Sequence, residues 1–314
     1  MNDSQTQLVK YLTDVHSIEE QALTQLRRAP DLVQGGLAEA FQRHLEETAS
    51  QERRVRGRLE AYDASPSTTK DLAGKAGGYG MVLFARSQPD TPGKLVFHAF
   101  SYEHMEVAAY ELLAIAARAG GDEETAAMAR EIAGEEREMA GRLAALFDEA
   151  VDQALREVGP DDLGSTLDTY LADAHALEGQ SRKMLEKGRE MEVPPSLREV
   201  FSRHLEETVE QEGRLERRLE ERGGSTSMLK DAGLRLGAYN LGAFMAAQPD
   251  TPAKLAGFAY ALENLEVAGY ELLARVARRA GDAESEALAE KALAEERQAA
   301  ELVSAQWSAA MAAA

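Results

Sequence analysis

Tyr102-Glu-His-Met-Glu-Val-Ala-Ala-Tyr-Glu-Leu-Leu-Ala114 returns, little changed, as Leu262-Glu-Asn-Leu-Glu-Val-Ala-Gly-Tyr-Glu-Leu-Leu-Ala274. Each copy sets two glutamates three residues apart, Glu103/Glu106 and Glu263/Glu266, with Tyr110 or Tyr270 seven residues after the first. On a helix Leu95, Ala99, Glu103, Glu106, Tyr110, Leu113 and Ala117 share one stripe. Apart from the two acids that stripe is fit for a core. A carboxylate on such a face costs several kcal/mol or more unless it is paired, protonated or bound to a cation. The rest of the chain has to supply one of these three answers.

Working outward, the repeat covers nearly everything. Tyr11-Leu-Thr-Asp-Val-His16 matches Tyr170-Leu-Ala-Asp-Ala-His175, and Phe41-Gln-Arg-His44-Leu-Glu-Glu-Thr48 matches Phe201-Ser-Arg-His204-Leu-Glu-Glu-Thr208. Gln88-Pro-Asp-Thr-Pro92 pairs with Gln248-Pro-Asp-Thr-Pro252, and Glu135-Glu-Arg137 with Glu295-Glu-Arg297. A period this long fits two complete domains rather than a solenoid. Residues 1–150 and 164–314 are read as two tandem domains joined by a linker at 151–163, where Gly159-Pro160 breaks the pattern.

Helix is expected throughout, since Ala, Leu, Glu and Arg abound and only 6% of residues are aromatic. In the first unit the apolar periodicity predicts helices from Ser4 to Arg28, from Gly36 to Tyr62, from Thr91 to Ala119 and from Asp122 onward. Thr91 reads as the N-cap, with Pro92 at the first helical position. A shorter, Gly-interrupted helix is expected between Lys70 and Ser87. The second unit repeats the plan near 164–188, 195–222, 252–280 and 283–312. The expected fold class is all-α: two tandem four-helix bundles, each with a long crossover between its second and third long helices that carries a short extra helix.

All four expected helices of each unit carry a carboxylate on the apolar seam. These are Glu19, Glu47, Glu103 with Glu106, and Glu135, then Glu178, Glu207, Glu263 with Glu266, and Glu295. One such acid is commonplace; one on every facing stripe, twice over, is not. Clustered carboxylates cannot all stay ionised near neutral pH, and a pair of cations removes the repulsion. Cysteine is absent, so any metal would be held by carboxylate and imidazole, a donor set that suits iron or manganese. His44 and His204 stand one turn from Glu47 and Glu207; for these histidines the residues leave ligand and satisfied core group both open. His16 and His175, three residues before Glu19 and Glu178, read as supporting groups rather than ligands.

The residues Asp14-x4-Glu19, His44-Leu-Glu-Glu-Thr48, Glu103-His-Met-Glu-x3-Tyr110 and Glu135-Glu136 together resemble the ferritin-like di-iron carboxylate proteins. More narrowly, the chain resembles the bacterial stress-associated ferritin-like family known as domain of unknown function 892. The Glu-x2-Glu pair is similar to that of rubrerythrins, and a tyrosine seven residues after a ligand glutamate recurs in bacterioferritins. The resemblance implies two iron ions per bundle, or manganese in their place. It makes Glu47 and Glu135 or Glu106 the bridging ligands, Glu19 and Glu103 ligands to one ion each, and Tyr110 and Tyr270 hydrogen-bond donors to the site. It implies oxidation or sequestration of Fe(II), with O2 or peroxide as co-substrate, in protection against stress. The chain departs from the usual Glu-x2-His of such sites: Ser50 and Glu138, and in the copy Glu210 and Gln298, stand where His would be.

Composition sets the limits. A formal charge of −20 repels phosphate backbones and anionic lipid, so neither nucleic acid nor membrane is an expected partner. The opening Met-Asn-Asp-Ser-Gln lacks a signal-peptide pattern, and a cytoplasmic location is the expectation that follows. Phosphate-binding glycine loops are missing. Two fused domains already satisfy a pairwise contact, which argues against a storage cage and leaves a homodimer open. The contrasting reading is a metal-free helical structural or partner-binding protein whose seam acids are protonated or paired with Arg43, Arg54 or similar residues.

Overall fold

Proline and glycine punctuate the chain where the helices stop. In the computed structural model, which describes residues 3–67, 90–224 and 251–313, every regular element among the described residues is helical. In the first unit α1 spans Asp3–Leu26, and Pro30 opens a 3-10 turn at Ala29–Leu32. Next come α2 at Gly35–Ala61, α3 at Thr91–Ala119, α4 at Glu123–Ala144 and a short α5 at Phe147–Ala154. The second unit has α6 at Leu163–Glu190, α7 at Pro195–Glu221, α8 at Thr251–Arg279, α9 at Ala283–Ser304 and α10 at Trp307–Ala312. The expected crossover helix between Lys70 and Ser87, and its counterpart in the second unit, lie outside the described residues.

Three expectations shift. The chain divides into compact units Met1–Arg156 and Glu157–Ala314, and residues 151–154, read as linker, belong to α5. The last predicted helix of each unit breaks, at Ala145–Leu146 and at Ala305–Gln306, before the short closing helix. Helix α3 starts at Thr91 itself with Asp90 as the flanking residue, so Thr91 is not the cap. The short α5 is placed by the glycines that open α2. Gly35 has φ +58, a left-handed conformation that favours glycine, and the Glu149 carboxylate of α5 lies 2.6 Å from where its Cβ would be.

Which side chains meet gives the direction of each helix. His16 of α1 meets Glu52 of α2, whereas Ala22, Gln25 and Leu26 sit with Phe41, so α1 and α2 are antiparallel. Leu8 lies against Gly120, Glu19 against Tyr110 and Leu26 near Leu95, so α1 and α3 are antiparallel too. It follows that α2 and α3 run the same way. The end of α2 and the start of α3 therefore lie about a helix length apart, about 40 Å for a helix the length of α2. Arg58 meeting Asp122, Gln51 meeting Glu136 and Glu47 meeting Arg142 set α4 antiparallel to α2. The second unit repeats these pairings through Glu178–Tyr270, Gln211–Glu296 and Arg218–Asp282.

The turn into the fourth long helix is the best-anchored point of each unit. Gly121 takes φ +77, and Asp122 then caps α4 by accepting from the Thr125 amide at 3.0 Å. The same carboxylate accepts from Arg58 at 2.8 Å and from the Tyr62 hydroxyl at 2.7 Å, which ties the end of α2 to the start of α4. Gly281 and Asp282 repeat the device with Ser285, Arg218 and Arg222. Burial alone would raise the Asp122 pKa, but the Thr125, Tyr62 and Arg58 hydrogen bonds hold it far below the usual carboxylate range. Replacing Asp122 by Ala is therefore expected to cost about 1–2 kcal/mol at neutral pH, a normal helix-cap loss. Because the folded-state pKa lies below the unfolded one, the contribution is full above about pH 4 and fades as pH falls further. Urea unfolding of wild type and Asp122→Ala checks this: their midpoints should differ near neutral pH and converge in acid.

Candidate metal centre

Three helices of the first unit bring His44, Glu103, Glu106 and Glu136 together, with one ligand-type atom from each lying within 4.8 Å of the others. All four are buried, Glu136 completely and the other three to within 3%. His44 Nε2 stands 3.0 Å from Glu103 Oε2 and 3.5 Å from Glu136 Oε2. Glu19, fully buried on α1, joins the cluster through the Tyr110 hydroxyl, which donates to its Oε1. The second unit builds the same group from His204, Glu263, Glu266 and Glu296, with Glu178 held by Tyr270. There His204 Nε2 lies 2.6 Å from Glu263 and 3.3 Å from Glu296. The tyrosines thus sit where a donor to the site would sit.

Two expected pairs of acids fall outside this group. On α4 the buried acid is Glu136, whereas Glu135 is about one-third exposed and pairs with Arg54 at 2.8 Å. In the copy Glu296 is buried and Glu295 pairs with Arg214. The seam of α4 runs Ala126, Ala129, Ile132, Ala133, Glu136, Met139, Ala140, Leu143. Stepping from Ile132 by three or by four lands on a glutamate either way, and the alanines that decide between them mark no face in the sequence. Glu47 is also about one-third exposed and accepts two bonds from Arg142, at 3.0 and 2.6 Å. Its Oε2 lies 3.2 Å from His44 Nδ1, so Glu47 stands behind the imidazole rather than among the acids in front. Glu207 stands behind His204 in the same way at 3.2 Å.

Gln51 was not anticipated from the sequence. Its Nε2 donates to Glu135 at 3.0 Å and to Glu136 at 2.5 Å, linking the rim to the centre, and Gln211 does the same. His16 pairs with Glu52 at 3.1 Å, one turn away, in a group that includes Glu20. In the copy Gly179 replaces Glu20 and Arg182 meets Glu212 at 3.2 Å, so among the described residues this second group is found in the first unit alone.

A family model described as "Domain of unknown function (DUF892)" matches residues 3–156 and again 163–313. The chain belongs to this family. No solved structure matches it.

Within each DUF892 unit the cluster is far from electrostatic balance. Burial, and then the charges of Glu136, Glu19 and Glu103, push Glu106 well above the usual carboxylate range. Burial raises Glu19 to about 8 despite the Tyr110 hydrogen bond, and raises Glu136 with help from Glu103. Glu178 and Glu266 are raised in the copy, and Glu296 rises to about 7. Burial alone would lower His44, but the Glu103, Glu47 and Glu136 carboxylates lift it well above the ordinary imidazole value. Without a cation, then, Glu19, Glu106 and Glu136 in the first unit, and Glu178 and Glu266 in the second, hold protons near neutral pH.

Glu106 is the extreme case. Neither of its carboxylate oxygens has a hydrogen-bond partner, and neither do those of Glu266. Nearly every buried polar group in a folded protein is satisfied, and a bare one costs about 1–3 kcal/mol or more. No arginine pairs with either residue among the described residues. Replacing Glu106 by Gln in metal-free protein should therefore leave the melting temperature unchanged or raise it. A salt-bridged glutamate would behave oppositely, losing about 3 kcal/mol or more when its partner is stranded. Thermal melts of chelator-treated wild type and Glu106→Gln check the sign.

Proposed function

We propose that each DUF892 unit is a ferritin-like four-helix bundle holding a pair of divalent cations, iron first and manganese second, and that the protein binds Fe(II) and oxidises it with O2 or peroxide. The observation that carries the reading is the pair of donor-less carboxylates, Glu106 and Glu266, at the centre of a buried acid cluster. The donor set fits. Glu19, Glu103, Glu106 and Glu136 offer four negative charges, which two divalent ions would balance, and hard carboxylate oxygens with one imidazole suit iron or manganese. The parallel run of α2 and α3, with the end of one a helix length from the start of the other, is the helix order of the ferritin-like fold. The role in stress protection is carried over from the family resemblance.

The chain's own residues divide the work by position. His44 would present Nε2 to the metal while Nδ1–H donates to Glu47, an arrangement that fixes the tautomer and the ring orientation. Arg142 holds Glu47 in place from the far side. Tyr110 donates to Glu19 Oε1 and leaves Oε2 without a protein partner, available to a cation. Ile132 and Met139, one turn either side of Glu136, and Leu113 on α3 are fully buried and keep bulk water from the acids. An iron pair, when bound, supplies redox change and open coordination positions.

Metal analysis together with melting tests the proposal. Protein loaded with Fe(II) or Mn(II) should carry up to four ions per chain. It should also melt well above chelator-treated protein, since each site saturated at a hundred times its Kd adds about 2.7 kcal/mol. Equal melting with and without metal would favour the metal-free reading, in which protons alone satisfy the acids.

A further inference from the structure

A cavity of about 30 Å3 lies between α1 and α3 in the first unit, and one acid of the cluster, Glu103, is part of its lining. Its walls include Gln25, Ala99 and Tyr102, all half-buried, and buried Ala22, His98 and Glu103. Glu103 is 3% exposed, and its Oε2 faces His44 Nε2 at 3.0 Å. A buried water needs about 10–15 Å3 of such space, so the cavity holds about two waters or one molecule of peroxide size. On the same measure six hydrating waters alone would take about 60–90 Å3, so a hydrated cation does not fit.

The walls are polar in a particular way. The Tyr102 hydroxyl donates to the Ile18 carbonyl at 2.9 Å, which leaves its oxygen able to accept. The Gln25 amide nitrogen is buried without an acceptor. Burial, and then the Lys94 charge, pushes His98 down to about 3, so its imidazole is neutral. Among the described residues Glu103 is the only acid lining the cavity. Donors and acceptors without net charge on the way in favour an uncharged hydrogen-bonding ligand.

The second unit keeps much of the wall and changes the polar part. Leu26, Phe41, Leu95, Ala99 and Glu103 recur as Leu185, Phe201, Leu255, Ala259 and Glu263. Gln25, His98 and Tyr102 become Met184, Phe258 and Leu262, so all three N–H or O–H groups are lost together. Met184 is 1% and Leu262 7% exposed, which places both in the core. Packing is also tighter there. Gly188 stands where the first unit has Ala29, and a Cβ on it would lie 3.1 Å from the Phe201 ring. The one opposite change, Ala22 to Ser181, puts a hydroxyl at a fully buried position.

We propose that this cavity admits a small uncharged hydrogen-bonding molecule, of the size of water or hydrogen peroxide, to the metal centre of the first unit, and that the second unit's centre does not exchange through this face. The two halves of the chain are then unequal on this face: one centre open to small ligands, the other closed. This builds on the dinuclear-metal reading, and the test separates the two.

The full chain is loaded with Mn(II), its metal content is measured first, and water-proton relaxation then reads how freely water reaches the ions. Grafting the second unit's residues onto the first (Gln25→Met, His98→Phe and Tyr102→Leu together) should cut the relaxation enhancement at least twofold with Mn(II) content unchanged. Ala99→Leu, which fills the cavity without touching a polar group, should act in the same direction. The reverse graft in the second unit (Met184→Gln, Phe258→His and Leu262→Tyr) should raise the enhancement, and serves even if the first graft fails to fold. Enhancement unchanged in the folded variants, with normal Mn(II) content, overturns the cavity proposal and leaves the metal reading standing. Failure of wild type to bind Mn(II) or Fe(II) overturns both.

Discussion

Three carboxylates and an imidazole with ligand-type atoms within 4.8 Å of one another, and a fourth carboxylate joined to them through a tyrosine, all buried, form the constraint on which each unit is organised. Glu19, Glu103, Glu106 and Glu136 come from three helices, and His44 from the fourth. Isolated charges in such a place cost far more than a small domain's net stability of about 5–15 kcal/mol. The metal-free chain meets the constraint with protons, as the raised pKa values of Glu19, Glu106 and Glu136 indicate. A pair of cations meets it without leaving Glu106 bare. The exposed ion pairs around the rim contribute little by comparison.

The rest of the architecture holds the acids in position. Antiparallel pairing of α1 with α2 and with α3 sets Glu19 opposite Tyr110 and His16 opposite Glu52. The Asp122 and Asp282 caps fix where the fourth helix starts in each unit, and hence the height at which Glu136 and Glu296 enter the centre. Gln51 and Gln211 bridge from the rim to these acids. The rim itself is not the same in both halves. Arg142 grips Glu47 through two bonds, but its counterpart is Leu302, and Glu207 is met instead by Arg203 at 3.4 Å. The repeat has kept the centre and let its surroundings diverge.

Helical class, duplication and the α3 acids were legible because each depends on a local pattern. Glu103 and Glu106 stand out since their helix is apolar on nearly every side: Phe97, Val107, Ala108 and Leu112 are buried as well as Leu95, Tyr110, Leu113 and Ala117, so an acid among them is conspicuous. Helix α4 gave no such contrast. Alanine sits at 126, 129, 133 and 140 on its buried side and at 127, 144 and 145 off it, so the stripe could be drawn one residue away, through Glu135. Helix α2 misleads for another reason: His44, Thr48 and Gln51 are themselves seam residues, and a polar seam hides its own register. Glu47, one position off that seam, therefore read as buried. The family resemblance covered both units and was matched along nearly the whole chain, but it could not tell which glutamate of an adjacent pair turns inward.

The most direct test of the central claim is a crystal structure of iron-loaded protein with anomalous scattering recorded at the iron edge. The account predicts two anomalous peaks in each unit, among Glu19, His44, Glu103, Glu106 and Glu136 and among Glu178, His204, Glu263, Glu266 and Glu296, with Glu47 and Glu135 remaining on Arg142 and Arg54. Anomalous density absent from both clusters, with Glu106 and Glu266 sharing protons with neighbouring carboxylates instead, would contradict it.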